Sequence, residues 1–162
     1  MPIQKGRHTA RIEGDFVLFL IGVRINRPWL VHKWVPIVLA MPRMLKELAQ
    51  RPELGLLHAE SFIGGLTVQV VQYWRSFDHL HAYAHAKDLE HVPAWAAFNR
   101  RARGNSAVGI FHETYLVPAG QYECIYVNMP RAGLPRAGES VPVTNRNDSA
   151  RLRLAKETEQ RS

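Results

Sequence analysis

The chain has 162 residues, enough for one domain and short for two. Its 46% hydrophobic and 22% charged content is that of a folded globular protein, which excludes a disordered or fibrous chain. Of the +7 formal net charge, residues 1–13 carry +2 and residues 131–162 carry +3, so the nearly balanced body predicts no nucleic-acid partner.

The sequence also argues against a membrane or an oxidising compartment. Its longest apolar run, residues 16–23, is far shorter than the about 20 residues that a membrane-spanning helix needs. The polar N-terminus has no pattern of a secretory signal. The single cysteine, Cys124, cannot form an intramolecular disulfide and is expected to be a buried bystander. We therefore expect a cytoplasmic protein with no membrane partner.

The first predicted elements follow a short polar arm. Residues 1–13 are expected to be flexible, and the nearly continuous apolar run Phe16–Ile25 predicts a strand buried on both faces. The next apolar residues recur at helical spacing, which predicts a helix that Pro42 either kinks or begins. The residues of that stripe are Ile37, Met41, Met44, Leu45 and Leu48.

A hairpin and a second helical region come next. Gly64-Gly65 predicts a tight turn between strands at 56–63 and 66–74. Ser76 is a candidate N-cap for a helix that continues to about Ala86. A second helical piece is predicted at about 91–103. Two last strands, at 107–117 and 122–129, are separated by a Pro-Ala-Gly turn.

The element order predicts the fold class. Strand, helix, strand, strand, helix and strand in succession form the split βαβ repeat of an α+β, ferredoxin-like domain, here placed at residues 14–134. Helices cover one face of such a sheet, and a second copy commonly covers the other, so we expect a homodimer of the dimeric α/β barrel type. Residues 135–162, poor in apolar side chains, are expected to form a mobile basic tail.

Eight histidines are present, and six of them fall between His58 and His112. His81 and His85 have the helical spacing of a paired metal site but lack acidic ligands at useful spacing, so a polar outer helix face is the simpler interpretation. His91 begins a predicted helix on the side of Trp95, and His112 shares a strand face with Ile110 and Thr114. A strand histidine is either a hydrogen-bonded core residue or a pocket acid or base.

Several motifs resemble one family. The segments Tyr73-Trp74-Arg75-Ser76, Phe111-His112-Glu113-Thr114-Tyr115 and Tyr126-Val127-Asn128-Met129-Pro130 resemble a monooxygenase-like family of bacterial and fungal proteins. The resemblance covers about residues 14–138 and also includes Met41-Pro42-Arg43-Met44. It implies an enzyme that acts on a small organic substrate.

A more distant resemblance implies a cofactor. Residues 76–133 look like the C-terminal half of haem-containing aldoxime dehydratases, in which one histidine binds the iron and a second, in a His-Glu strand motif, performs acid–base chemistry. The matching positions are His91 and His112, 21 residues apart as in that family. The chain departs from the family by having one ferredoxin-like repeat instead of two, and by lacking counterparts of its distal serine and arginine.

The leading hypothesis is therefore a haem-binding lyase or monooxygenase in which His91 is the metal ligand. His112 is the predicted catalytic acid or base, and Arg75 is expected to meet a substrate carboxylate or a haem propionate, with a salt bridge to Asp78 as the alternative. The other cofactor-binding residues are Trp95, Tyr73 and Phe111. Two alternatives remain open: a cofactor-independent monooxygenase with the same histidines as base, and a non-catalytic dimer that binds a small ligand.

Overall fold

The computed structural model describes residues 2–86 and 106–159. The described strands are β1 (Ile3–Arg11), β2 (Phe16–Ile25), β3 (Leu56–Gly64), β4 (Thr67–Trp74), β5 (Val108–Val117), β6 (Tyr126–Pro130) and β7 (Glu139–Pro142). The described helices are α1 (Val31–Val38), α2 (Ala40–Gln50), α3 (Phe77–His85), α4 (Leu134–Ala137) and α5 (Ala150–Glu159), with a 3-10 turn at Pro52–Leu54. None of these helices is long and apolar enough to cross a membrane.

The main sheet has four strands in the order β3-β4-β2-β5, and every neighbouring pair is antiparallel. If the four strands of this sheet are numbered along the chain, so that β2 is strand 1 and β5 is strand 4, their order in the sheet is 2-3-1-4. Helices α1 and α2 connect the first two of these strands, and α3 follows the third. This is the ferredoxin-like arrangement, so the predicted α+β fold class is confirmed.

Strand β2 divides the molecule into two sides because its side chains alternate across the sheet. Val17 and Val23 point toward the helices, where they join the buried clusters formed with α1, α2 and α3. Leu18 and Leu20 point the other way. We call the first side the helix face and the second the open face. Trp74, fully buried on the helix face, packs against Val17, Leu48, Leu80 and Tyr83.

The helix boundaries agree with the local signals in the sequence. Pro42 lies at the third position of α2, so it marks a helix start, and α1 ends just before it at Val38. Ser76 caps α3, because its Oγ accepts a hydrogen bond from the backbone N–H of His79 at 3.3 Å. The predicted helical piece at 91–103 lies outside the described residues.

A second sheet, with the order β6-β1-β7, replaces the flexible arm expected at residues 1–13. Strand β1 is antiparallel to both neighbours, which satisfies its backbone on both sides. The strand predicted at 122–129 begins only at Tyr126, and it pairs with β1 in this second sheet. Pairing between the two ends of the chain leaves no signal in local periodicity, which is why the sequence did not indicate it.

The segment expected to be a mobile tail is also structured. It contains the end of α4, all of β7 and α5, the last of which begins at Ala150. Arg153 joins α5 to the rest of the molecule. Its Nε donates to the Glu123 carboxylate at 2.6 Å, and its Nη1 donates to the carbonyl oxygens of Asn147 and Asp148. Only 8% of the Arg153 side chain is exposed.

We expect Arg153→Gln to lower the free energy of unfolding by about 1–2 kcal/mol, because it leaves the half-buried Glu123 carboxylate without its cation. Urea denaturation measures this change. The matched control is Arg151→Gln, at an exposed position on the same helix, which should change stability by less than about 0.5 kcal/mol. Equal effects of the two substitutions would contradict the docking of α5.

Candidate functional site

The structure separates the residues that the sequence predicted to form one site. His112 lies on the helix face, because it pairs with Ile21 of β2. Phe111 is its neighbour on β5 and therefore lies on the open face, as does Tyr73, which pairs with Leu18. His91 and Trp95 lie outside the described residues. The alternation predicted for β5 is confirmed, but Tyr73 and Phe111 do not share a side of the sheet with His112.

The imidazole of His112 packs against an aromatic ring. Its ring centroid is 5.8 Å from that of Phe19, with the two planes tilted by 39°. The His112 side chain is exposed, and so are its neighbours on the helix face of β5, Ile110 and Thr114. The imidazole is therefore accessible on one side and rests on an apolar surface on the other.

On the same side of the sheet, but on β4, which β2 separates from β5, the helix face carries buried polar groups. Gln72 pairs with Phe19 across the sheet, and its Oε1 accepts a hydrogen bond from Trp74 Nε1 at 2.9 Å. Both side chains are buried. Because Oε1 is used in this contact, the amide hydrogens of Gln72 remain as the donors of that side chain.

Tyr83 adds a neutral phenol to the same side. Its ring centroid is 5.5 Å from that of Trp74. Burial raises the pKa of Tyr83 well above its ordinary value, and the carboxylate of Glu47 raises it further. The phenol therefore stays protonated at neutral pH. Aromatic walls, hydrogen-bonding groups and one accessible imidazole are together on the helix face, and this combination suits an acid–base reaction on an apolar substrate.

A second acid–base cluster lies on the opposite side, where the open face meets the second sheet. His58 and Glu60 project from β3, and His58 Nε2, which is buried, lies 3.1 Å from a carboxylate oxygen of Glu60 without hydrogen-bond geometry. The His58 ring is nearly parallel to that of Tyr73, at 6.4 Å between centroids. Gly133 makes room for two phenols: a Cβ there would lie 2.5 Å from the Tyr126 hydroxyl oxygen and 3.4 Å from that of Tyr73.

The sequence interpretation missed this cluster. Its signal was the alternation in β3, which places His58 and Glu60 on one face, together with the Gly64-Gly65 turn, which sets the register that brings His58 opposite Tyr73. Tyr126 reaches the cluster through β6, whose pairing with the chain's other end was not visible in the sequence.

Arg75 follows β4 and lines an open pocket of about 420 Å³ that lies away from His112. A second arginine, Arg11, lines the same pocket, whose other walls include Ile12, Leu57 and Glu139. The predicted alternative, a salt bridge between Arg75 and Asp78, is not found among the described residues. The role of Arg75 as a substrate-binding residue stays a prediction.

The described residues contain no group of three or more His, Cys, Asp or Glu side chains that could hold a metal ion. His81 and His85, the pair with metal-site spacing, stack with 4.1 Å between ring centroids. His85 Nδ1 donates to the backbone carbonyl of His81 at 2.8 Å. Both side chains are exposed, as expected for a polar outer helix face.

Comparison with known proteins shows one matching family and one similar protein of known name. Residues 16–134 match the family model described as Monooxygenase af470-like. The protein named Monooxygenase af470 from Aspergillus fumigatus is 32% identical over 168 residues, which cover 89% of this chain. The chain spans 58% of the length of that relative.

Two solved structures have a similar arrangement at 12% sequence identity. One is SnoaB from Streptomyces nogalater, described as a cofactor-independent oxygenase, with a TM-score of 0.43 over 62% of this chain and 91% of that chain. The other is a conserved protein of unknown function from Bacteroides thetaiotaomicron, described as a possible oxidoreductase, with a TM-score of 0.41 over 63% of this chain and 97% of that one.

The predicted haem cofactor is wrong. The family match is to monooxygenases and not to haem-containing aldoxime dehydratases, and the described residues hold no group of His, Cys, Asp or Glu side chains suited to a metal ion. The described residues also do not fit haem, because Tyr73 and Phe111, predicted to wall it, lie across the sheet from His112. Phe111 instead covers Gly22 on the open face, where a Cβ would lie 2.4 Å from its ring. The predicted lyase reaction, dehydration of an oxime, required haem, so it is withdrawn together with the haem.

The buried phenol of Tyr73 should make the stability of the folded protein depend on pH. Burial, followed by the nearby Tyr126, Glu60 and Cys124, raises the pKa of Tyr73 to about 12, against an ordinary value of 10.0. The unfolded chain therefore releases this proton first, and the folded state loses stability as the pH rises from 10 to about 12. We expect the loss to be smaller in Tyr73→Phe, as measured by urea unfolding across this range. Identical pH profiles of the two proteins would contradict the assignment.

Proposed function

Because the chain belongs to the Monooxygenase af470-like family, we propose that it is a monooxygenase that oxidises an acidic carbon of a small aromatic substrate with molecular oxygen and without a bound cofactor. The observation that carries this proposal is the accessible imidazole of His112, which packs on Phe19 on the side of the sheet that also holds Gln72, Trp74 and Tyr83.

His112 is the proposed general base. A neutral imidazole removes protons near neutral pH, and its contact with the Phe19 ring holds it at the edge of an apolar surface. A substrate that lies on this surface would present a C–H bond to the imidazole.

The substrate must supply every electron of the reaction when no cofactor takes part. A CH₂ group flanked by aromatic rings or carbonyl groups meets this requirement: R₂CH₂ + O₂ gives R₂C=O + H₂O. His112 removes one proton, and the carbanion transfers electrons to O₂ and forms a C–O bond, which yields a hydroperoxide after protonation. Loss of the second C–H proton then breaks the O–O bond and releases the ketone and water. The carbon is oxidised by four electrons and O₂ is reduced by four.

The haem-binding roles predicted for His91, Trp95, Tyr73 and Phe111 are withdrawn with the haem, and a part for any of them, or for Arg75, in the cofactor-free reaction stays a prediction. Of these, Tyr73 and Phe111 are open-face residues, so any part they take in the reaction differs from lining the His112 surface.

A homodimer through the open face is the second part of the proposal. The second sheet meets this face at the end near Tyr73, where the hydroxyls of Tyr73 and Tyr126 both approach Gly133 and α4 contacts β3. Beyond it, Phe62 is 53% exposed and Tyr115 is 48% exposed, while Leu18, Leu20 and Val71 are half-buried. A sheet face of this composition is stabilised by a partner, and a second copy related by a two-fold axis is the simplest one.

We expect His112→Gln to reduce oxygen consumption by about 10²–10⁴-fold, because the base is lost while the shape of the site is kept. The measurement is uptake of O₂ by protein without added flavin, haem or metal, with a panel of carbon acids that carry a flanked CH₂ group. With ¹⁸O₂, one label should enter the ketone and the other should enter water.

The matched control is His58→Gln, which removes the imidazole on the opposite side of the sheet and should leave the turnover number within about threefold. If His58→Gln loses activity while His112→Gln keeps it, the assignment of His112 as the general base is wrong. Tight binding of the same compounds without O₂ uptake would identify a non-catalytic ligand-binding dimer instead.

For the dimer, we expect the double variant Phe62→Arg and Tyr115→Arg to be monomeric, because it places unpaired charges in the contact. Light scattering coupled to size-exclusion chromatography measures the mass. Phe77→Arg, which changes an equally exposed ring at the start of α3, should leave the dimer intact. A monomeric wild-type protein at micromolar concentration, or a dimeric double variant, would refute the contact.

A further inference from the structure

One end of the molecule combines exposed apolar side chains with positive charge. The backbone N–H of Ile25, at the end of β2, donates to the carbonyl of Leu66 at 2.7 Å, so the loop before α1 and the β3-β4 turn lie side by side. The apolar side chains there are unusually exposed. They are Trp29 at 71%, Val31 at 51%, Ile63 at 79% and Leu66 at 40%. We call these four residues the hydrophobic tip.

Hydrogen bonds to backbone carbonyls, and not burial of the tip side chains, hold the loop that carries Trp29 in place. Trp34 Nε1 donates to the carbonyl of Pro28 at 3.0 Å, which fixes the loop against α1. Leu30, the N-cap residue of α1, donates its backbone N–H to the carbonyl of Arg27 at 3.1 Å. The Trp29 ring is thus presented outward from an ordered loop.

The charge around the tip has one sign. Residues 16–46 contain five Lys or Arg residues and no Asp or Glu, and residues 61–70, which form the hairpin end, contain no charged residue. Arg24, Arg27 and Lys33 are all exposed close to the tip. None of them takes part in an ion pair found within residues 2–86 and 106–154.

We propose that the hydrophobic tip docks the protein on the surface of an anionic lipid bilayer. An outward Trp with aliphatic neighbours enters the interface between headgroups and acyl chains, and the surrounding Lys and Arg residues meet the negative headgroups. This is peripheral attachment, which needs both signals together and no spanning helix.

Two other occupants fit the observations less well. A second copy on a two-fold axis would place this patch against an identical one, with repulsion between two sets of cations and no acidic group within residues 16–46 or 61–70 to offset it. Nucleic acid would attract the cations, but the aliphatic side chains of Val31, Ile63 and Leu66 would gain nothing from it.

The test is co-sedimentation of the full chain with vesicles of phosphatidylcholine alone or mixed with phosphatidylserine. We expect binding to the mixed vesicles only, weakened by added salt. Trp29→Ser should reduce the partition coefficient by about tenfold. Replacing Arg27 and Lys33 by Gln together should reduce it by about 25-fold, since each basic residue near an anionic surface contributes about fivefold.

The matched controls are Phe77→Ser and the pair Arg146→Gln with Arg151→Gln, which change exposed residues elsewhere in the chain and should leave binding unchanged. A second measurement uses the wild-type protein and therefore does not depend on whether a variant folds. Brominated lipid in the mixed vesicles should quench part of its tryptophan fluorescence. Absence of binding to either vesicle, equal binding to both, or a change in the oligomeric mass on Trp29→Ser would overturn the proposal.

Discussion

The arrangement of this protein depends on one strand that is hydrogen-bonded on both sides. Strand β2 pairs with β4 along one edge and with β5 along the other, with an unbroken register over most of its length. Because side chains on adjacent strand positions point to opposite faces, this register decides for three strands at once which residues meet the helices. A shift by one residue would exchange His112 for Phe111 on the helix face.

The same strand separates two groups of titratable residues with different surroundings. On the helix face, Tyr83 is buried beside Trp74, and His112 is accessible at the edge strand. On the open face, His58, Glu60 and Tyr73 are enclosed where the second sheet packs on the first. An imidazole must be reachable to act on a substrate, so exposure favours His112 as the base. The enclosed pair of His58 and Glu60 is better placed to connect the two sheets.

The sequence predicted what local pattern determines and missed what distant pairing determines. The apolar run of β2, the hairpin turn after β3 and the Ser76 cap each follow from neighbouring residues, and the structure has all three, with the turn at Gly65 and Leu66, one residue later than predicted. The polar strand β1 carries no such pattern, because its partners are about 120–140 residues away and most of its stabilisation comes from backbone pairing. For the same reason the alternation of β5 was predictable, whereas the meeting of Tyr73 with Tyr126 was not.

The proposed catalytic base and the proposed membrane contact lie at different positions along strand β5. The register places Val108 of β5 beside Ile25, next to the hydrophobic tip, and His112 beside Ile21. Four residues of strand separate these positions, which is about 13 Å. Ile110, between them on the helix face, is 37% exposed and offers an apolar surface along the edge strand. The proposed base and the proposed lipid contact therefore lie on the same edge strand, with the apolar side chain of Ile110 between them.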